Sequence, residues 1–278
     1  MLTPALGTLA AIVLFPTLYL LGMSMTHWVA FEPDVYFDGL ENFNVAVSTP
    51  AFWDSTWVTV VYLVVSSLVM VVLGLLLALI LTGNVPFKGL WRTLITLPFI
   101  IPPVVAGFTW KFLLNREIGF IGGYLLPMLG FEDSLLASPD WAIYSIVLAD
   151  VWSRTAFMFL IYLAALQSIP SDLYEATRID GASKLQEFWY ITLPHILPAI
   201  VVSLLFRVVD AINTFDLIYV MTKGGPGTST LMLSLYGWKT AFHGFDFGQA
   251  AAIALMMLVV TVVCSNILFK RFFSEKRK

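Results

Sequence analysis

The chain has 278 residues, of which 59% are hydrophobic and 12% charged, against about a quarter charged in an ordinary soluble domain. Fifteen bases and 18 acids leave a net charge of -3, which excludes a basic nucleic-acid surface, and a single cysteine excludes a disulfide framework or a thiolate metal site. Such a composition belongs to an integral membrane protein. Its fold is expected to be all-α, because backbone polar groups in hydrocarbon must bond within the segment that carries them.

A spanning helix needs roughly 20 mainly apolar residues, and six segments qualify: 2–25, 56–82, 92–114, 141–167, 198–221 and 246–269. The first is apolar from Leu2 onwards and lacks the basic start of a secretory signal, so a retained helix is expected. The third contains Pro98, Pro102, Pro103 and Gly107 in TLPFIIPPVVAG. Each proline removes a backbone donor and crowds the preceding turn, so that helix should bend, either for packing or as a hinge beside a pathway. Cys264, inside the sixth segment, is expected to act as a small core hydrophobe.

Six crossings put both termini on one side. That side carries Lys88, Arg92, Arg178, Lys184, Lys270, Arg271, Lys276, Arg277 and Lys278, against Lys111, Arg116, Lys223 and Lys239 on the other. By the positive-inside rule both termini should be cytoplasmic. The acids Glu32, Asp34, Asp38, Glu41, Asp54, Glu132, Asp133 and Asp140 then fall in outer loops. Residues 1–278 are expected to form one transmembrane domain.

Polar residues inside a bilayer are costly and are functional candidates by default. Ser203, Arg207, Asp210 and Asn213 or Thr214 recur every three or four residues, one stripe of the fifth helix, and Asp150 and Arg154 stand four apart on the fourth. Two readings remain open. The pairs Arg207 with Asp210 and Asp150 with Arg154 neutralise each other or bridge the helices, or the stripe lines a hydrated path whose hydroxyl-binding groups suit a neutral sugar. In the second reading Trp152, Phe215 or Tyr219 offers a flat face to a sugar ring.

Between the fourth and fifth segments, residues 168–197 form a charged connection that is not shapeless. Asp172 or Ser171 is placed to cap a first helix, with Glu175 three residues after Asp172; Gly181 suits the left-handed residue that ends it; Ser183 with Gln186 repeats the capping spacing; and Pro194 is expected to limit the second helix. Leu173, Tyr174, Ile179, Leu185, Phe188, Trp189 and Ile191 exceed what a solvated loop needs. The elbow therefore either packs on the bundle or docks a soluble partner.

EATRIDGASKLQEFWYITLP, residues 175–194, resembles the EAA signature of ABC importer permeases, in which Glu-Ala-Ala is followed by a glycine and an Ile-x-Leu-Pro ending. The matching positions are Glu175, Ala176, Thr177, Gly181, Ile191, Leu193 and Pro194, with Thr177 a small-for-small departure. LAALQSIPSDLYEATRIDGAS, ITLPHILPAIV, FDLIYVMTKGGPGTST and GQAAAIALMMLVV extend the likeness across segments two to six, towards the carbohydrate-uptake branch with an outer Gly-Gly-Pro loop. The resemblance implies an ABC type I importer permease fold in a bacterial or archaeal cell membrane. It also implies a second permease subunit non-identical to this one, two cytoplasmic ATPase copies, an extracytoplasmic solute-binding protein, and a sugar or polyol as cargo. Glu175, Ala176, Thr177, Asp180, Gly181, Ala182, Leu193 and Pro194 would meet the ATPase, with Glu175 facing a basic residue there. The candidate pathway is Asp150, Arg154, Arg207, Asp210, Asn213, Phe215 and Tyr219.

No G-x-x-x-x-G-K-[ST] loop occurs, so ATP and its Mg²⁺ are expected on a partner chain; GGPGTST at 224–230 has no lysine at the required place and is expected to be an outer turn. His27, His195 and His243 show no zinc spacing. The rivals are a secondary transporter, which would show inverted repeats with paired broken helices, and an intramembrane enzyme using Asp150, Asp210 or Asp216. Within the importer reading, Arg154 and Arg207 leave a charged solute such as a glycerol phosphate as the alternative cargo.

Overall fold

The computed structural model describes residues 3–131 and 133–273; Glu132, Lys276, Arg277 and Lys278 lie outside the described residues. The chain runs through α1 (Thr3–Ser24), a two-residue hairpin of β1 (Thr26–His27) and β2 (Tyr36–Phe37), α2 (Glu41–Ser48) and α3 (Pro50–Thr82). The hairpin is antiparallel, with Thr26 opposite Phe37 and His27 opposite Tyr36. Next come α4 (Lys88–Ile100), α5 (Pro103–Leu113), a π turn (Ile121–Leu125) leading into α6 (Leu126–Met128), and α7 (Ala142–Gln167). Then α8 (Ser171–Ile179), α9 (Lys184–Glu187), a second π turn (Phe188–Thr192), α10 (Leu193–Ile212), α11 (Asp216–Met221), α12 (Leu233–Phe242) and α13 (Phe247–Phe273) complete it.

Five continuous helical segments are long and apolar enough to cross a bilayer: Leu6–Ser24, Pro50–Thr82, Ala142–Gln167, Lys184–Ile212 and Phe247–Arg271. The sixth candidate is α4 with α5, two helices meeting at 99°. The expected bend at 92–114 is thus a break. Ile101 lies before Pro102 and is held extended (φ -73°, ψ 127°), Pro102 continues extended, and Pro103 can only open a new helix.

The first four spans differ in environment. Almost all described side chains of α1 are exposed on this chain, whereas α7 is the central helix, with Ile146, Met158, Phe159 and Tyr162 fully enclosed. α7 packs most extensively on α3. Gly74 permits the approach: a Cβ there would stand 3.1 Å from Met158 Cβ and 3.2 Å from the Phe159 backbone nitrogen.

The bounds of two expected spans move. The second span starts at Pro50 rather than 56, because Pro50 sits in the first turn, where its missing N–H costs nothing. The fifth starts at Lys184 rather than 198 and stops at Ile212 rather than 221. Asn213 and Phe215 leave helical geometry before α11 begins.

Candidate functional site

The elbow begins at Pro170, whose extended backbone (φ -59°, ψ 135°) opens α8. Neither Ser171 nor Asp172 caps it, contrary to the expected capping box. Ser171 is already inside the helix and its hydroxyl donates to Asp172 Oδ1 at 3.3 Å, so neither side chain is positioned to reach back to the free N–H groups. The end of α8 forms as expected. Gly181 takes φ +74°, and the N–H groups of Gly181 and Ala182 close on the carbonyls of Arg178 (3.2 Å) and Thr177 (2.9 Å).

Ser183 then caps α9 with a full capping box: its hydroxyl accepts from Gln186 N at 3.3 Å, and its own N–H donates to Gln186 Oε1 at 2.7 Å. Pro194 does not limit this second helix. α9 passes through the π turn into α10 as one 29-residue helix, and Pro194 lies in the first turn of α10, where the wider π register absorbs the missing donor. The elbow's second arm is therefore the fifth span itself. Tyr174 OH meets Thr192 Oγ1 at 3.1 Å and ties α8 to that arm. Of the apolar surplus, Leu173, Tyr174, Phe188 and Ile191 are half-buried, while Ile179, Leu185, Trp189 and also Tyr190 stay exposed beside exposed Glu175 and Ala176.

Inside the bundle, the structure brings together Asp150 and Arg154 of α7 with Arg207 and Asp210 of α10. Asp150 is fully buried; its Oδ2 receives Arg207 Nη2 at 2.6 Å and its Oδ1 lies 2.9 Å from Arg154 Nε. Asp210 Oδ2 receives Arg207 Nη1 at 3.1 Å and also Arg154 Nη1. Two cations and two anions thus close a neutral ring across two spans, with pairs both along and between helices. Within the ring Asp150 and Arg207 are enclosed, but the Asp210 side chain is 41% exposed. It faces a cavity of about 210 Å³ also lined by Met70, Phe99 and Phe157.

Two partners of the ring come from α3. Arg207 Nη2 also donates to Ser66 Oγ at 2.6 Å, and its guanidinium stands 5.3 Å from the Tyr62 ring centroid. Neither residue was identifiable from spacing along one helix, since the contact exists only once α3 packs on α10. Ser203, from the predicted stripe, is buried and bonded to Tyr162 OH at 2.7 Å.

The remaining candidates stand apart from the ring. Asn213 is exposed just past α10. Phe215 stacks on Tyr219 at 5.3 Å, and both pack against Trp238 of α12, at 5.6 and 5.2 Å. Trp152 meets Trp110 edge-on at 5.9 Å. Among the described residues no group of three His, Cys, Asp or Glu side chains is placed to hold a metal ion.

Comparison with known proteins gives one consistent answer. The model of a family described as binding-protein-dependent transport system inner membrane component matches residues 70–278. The chain is 38% identical over 263 residues to the trehalose/maltose transport system permease protein MalF of Thermococcus litoralis, covering 94% of this chain and 88% of that one. It is 36% identical over 284 residues to the sulfoquinovosyl glycerol transport system permease protein SmoG of Agrobacterium fabrum, covering 99% and 90%. Its fold matches a chain of a bacterial ABC transporter involved in the import of the acidic polysaccharide alginate, with a TM-score of 0.83 at 24% identity, over 98% of this chain and 94% of that one.

Proposed function

We propose, for a chain that belongs to the family of binding-protein-dependent transport system inner membrane components, that it forms half of the membrane pathway of an ATP-driven importer for a sugar or related polyol. It is a transport subunit and not an enzyme. The named relatives support the cargo class, and the basic residues at the elbow end support placing the elbow and both termini in the cytoplasm. In this reading a second permease subunit completes the pathway and an extracytoplasmic binding protein delivers the solute. Two ATPase copies, which bind ATP and Mg²⁺, dock on residues 168–197.

One observation carries the mechanism: the helix from Lys184 to Ile212 is unbroken between the exposed elbow and the charged ring. At about 1.5 Å per residue it is roughly 43 Å long. A displacement of Glu175, Ala176, Thr177, Asp180, Gly181 or Ala182 by a closing ATPase passes through the Gly181 turn and the Tyr174–Thr192 hydrogen bond to the helix that carries Arg207 and Asp210. The ring then transmits it to Asp150 and Arg154 on α7, so that the fourth and fifth spans turn together. Leu193 and Pro194 belong to the rod rather than to the exposed knob.

Glu175→Arg and Gly181→Asp test this. Both variants should assemble in the membrane but lose ATPase co-purification or solute-driven ATP hydrolysis. Unaltered uptake with a stably bound ATPase would reject the coupling role.

A further inference from the structure

The connection between the first and second spans is built as a rigid pad. Beyond the hairpin pairing, Val29 bridges antiparallel to Asp246, the Ala30 N–H donates to the Phe245 carbonyl at 2.8 Å, and the Phe247 N–H donates to the Trp28 carbonyl at 2.9 Å. The hairpin is thus sewn to the entry of α13. Gly248 allows this closure, since a Cβ there would stand 2.3 Å from the Thr26 carbonyl oxygen. Buried Asn42, on α2, holds the other side by donating to the Ser24 and Thr26 carbonyls at 3.1 and 2.9 Å. On this frame two phenylalanines occupy left-handed backbone, Phe31 at φ +72° and Phe245 at φ +56°, a region that bulky side chains rarely adopt. Their rings meet edge to face at 5.3 Å, and Phe31 is 90% exposed. Val35 and Phe37 of the same hairpin are exposed as well. Strained backbone that holds a large apolar ring in solvent gains nothing for the fold of this chain, and it marks a place shaped for a contact.

The charge on the pad is one-sided. Glu32, Asp34 and Glu41 are exposed and Asp38 and Asp246 half-buried, whereas no lysine or arginine precedes Lys88 in the sequence. His27 is the pad's own titratable base, and its Nε2 is already held 3.0 Å from Glu32 Oε2. Lys239, the base nearest Asp246 in sequence, turns to Gly224, its Nζ 3.2 Å from where a Cβ there would stand. Phe31 cannot enter a bilayer interface without drawing Glu32 and Asp34 towards hydrocarbon, which is costly for a charge. An apolar anchor inside an acidic rim instead fits a protein face with an apolar pocket rimmed by lysine or arginine. We propose that this pad seats the solute-binding protein, with Phe31 entering such a pocket and Glu32, Asp34 and Asp38 meeting the basic side chains around it. The proposal rests on the importer reading above and gives its delivery step a place and a chemistry. A ring already held rigid loses little freedom on docking, as an interface anchor should, and the acids steer encounter in a salt-dependent way.

The test uses the whole assembled transporter in nanodiscs and follows ATP hydrolysis against the concentration of the sugar-loaded binding protein that drives it. Phe31→Ala should raise the half-maximal concentration about 5–30-fold, the loss expected of an interface anchor, with the maximal rate within about twofold of wild type. Phe31→Trp, which keeps an aromatic anchor, should stay within about threefold. Asp34→Lys should also raise that concentration in about 50 mM salt, and the effect should fade in about 0.5 M. The pad is overturned if Phe31→Ala leaves the half-maximal concentration at its wild-type value. It is equally overturned if Phe31→Ala sheds the second permease subunit, which would make the pad a subunit contact. Quenching of the added Phe31→Trp fluorescence by brominated lipids, unrelieved by the binding protein, would seat the ring in the membrane and overturn it too. Wild-type ATP hydrolysis that no binding protein stimulates would sink the importer reading itself, and the pad with it.

Discussion

Asp150→Asn keeps the shape of the fourth span and removes one charge from the ring. Wild-type Arg207, 3% exposed, shares two carboxylates and the Ser66 hydroxyl; the variant leaves it Asp210 at 3.1 Å and Ser66 at 2.6 Å, with Arg154 drawing on the same Asp210 oxygen. Removing one member of a buried ion pair costs about 3–5 kcal/mol, because the partner stays buried and uncompensated. For a chain of this size that corresponds to a fall of about 6–20 °C in apparent Tm, readable as tryptophan fluorescence of the purified assembly in nanodiscs. Asp150→Asn/Arg207→Gln restores neutrality and should recover most of the loss. Arg154→Gln, at a position 22% exposed, should cost less than Asp150→Asn. If Asp150→Asn costs under about 1 kcal/mol, or the double variant is no better than the single one, the ring is not the closed electrostatic unit described.

Other expectations follow from single positions. Gly181→Ala has open space around it but must hold φ +74°, so about 1–2 kcal/mol of strain falls on the elbow; ATP hydrolysis should uncouple from uptake while expression and Tm of the membrane part stay close to wild type. Gly74→Ala pushes a methyl into the Phe159 backbone and should destabilise the α3–α7 contact by about 1–3 kcal/mol in the same Tm assay. His27, outside the spans, donates to Glu32 at 3.0 Å, and that bond first of all, with the charge of Glu32 adding to it, holds its pKa above the usual 6.5. The sign is that of a raised cation: the contribution is complete below pH 6.5 and fades as pH rises through the higher folded value. Glu32→Gln should lower the His27 midpoint, measured by NMR of labelled histidine.

Much of the architecture is legible in the sequence because a bilayer demands long apolar runs, and the apolar core of all six shows. Two features depend on geometry that composition does not carry. Pro194 reads as a stop, yet proline is at home in a first helical turn, and the preceding π turn lets α9 flow into α10. Conversely, α10 stops at Ile212 with no glycine or proline to announce it. In the site, the pairs along one helix, Asp150 with Arg154 and Arg207 with Asp210, follow from spacing. The crossed contacts, Arg207 to Asp150 and Arg154 to Asp210, and the help from Ser66 and Tyr62, arise only from how three helices pack. Ser183 with Gln186 formed the box its spacing suggests, whereas Asp172 did not, since Pro170 takes the position before α8.

The central claim is that the elbow and the fifth span move as one rigid piece under an ATPase. Spin labels at exposed Leu185 and Val202, 17 residues apart on that helix, should sit about 26 Å apart. In the assembled transporter that distance should stay fixed to within about 2 Å between nucleotide-free and ATP-bound states, while the distance from Leu185 to its equivalent in the second permease subunit shortens. A rod that flexes at the π turn while the outer half of the span stays still would contradict the account.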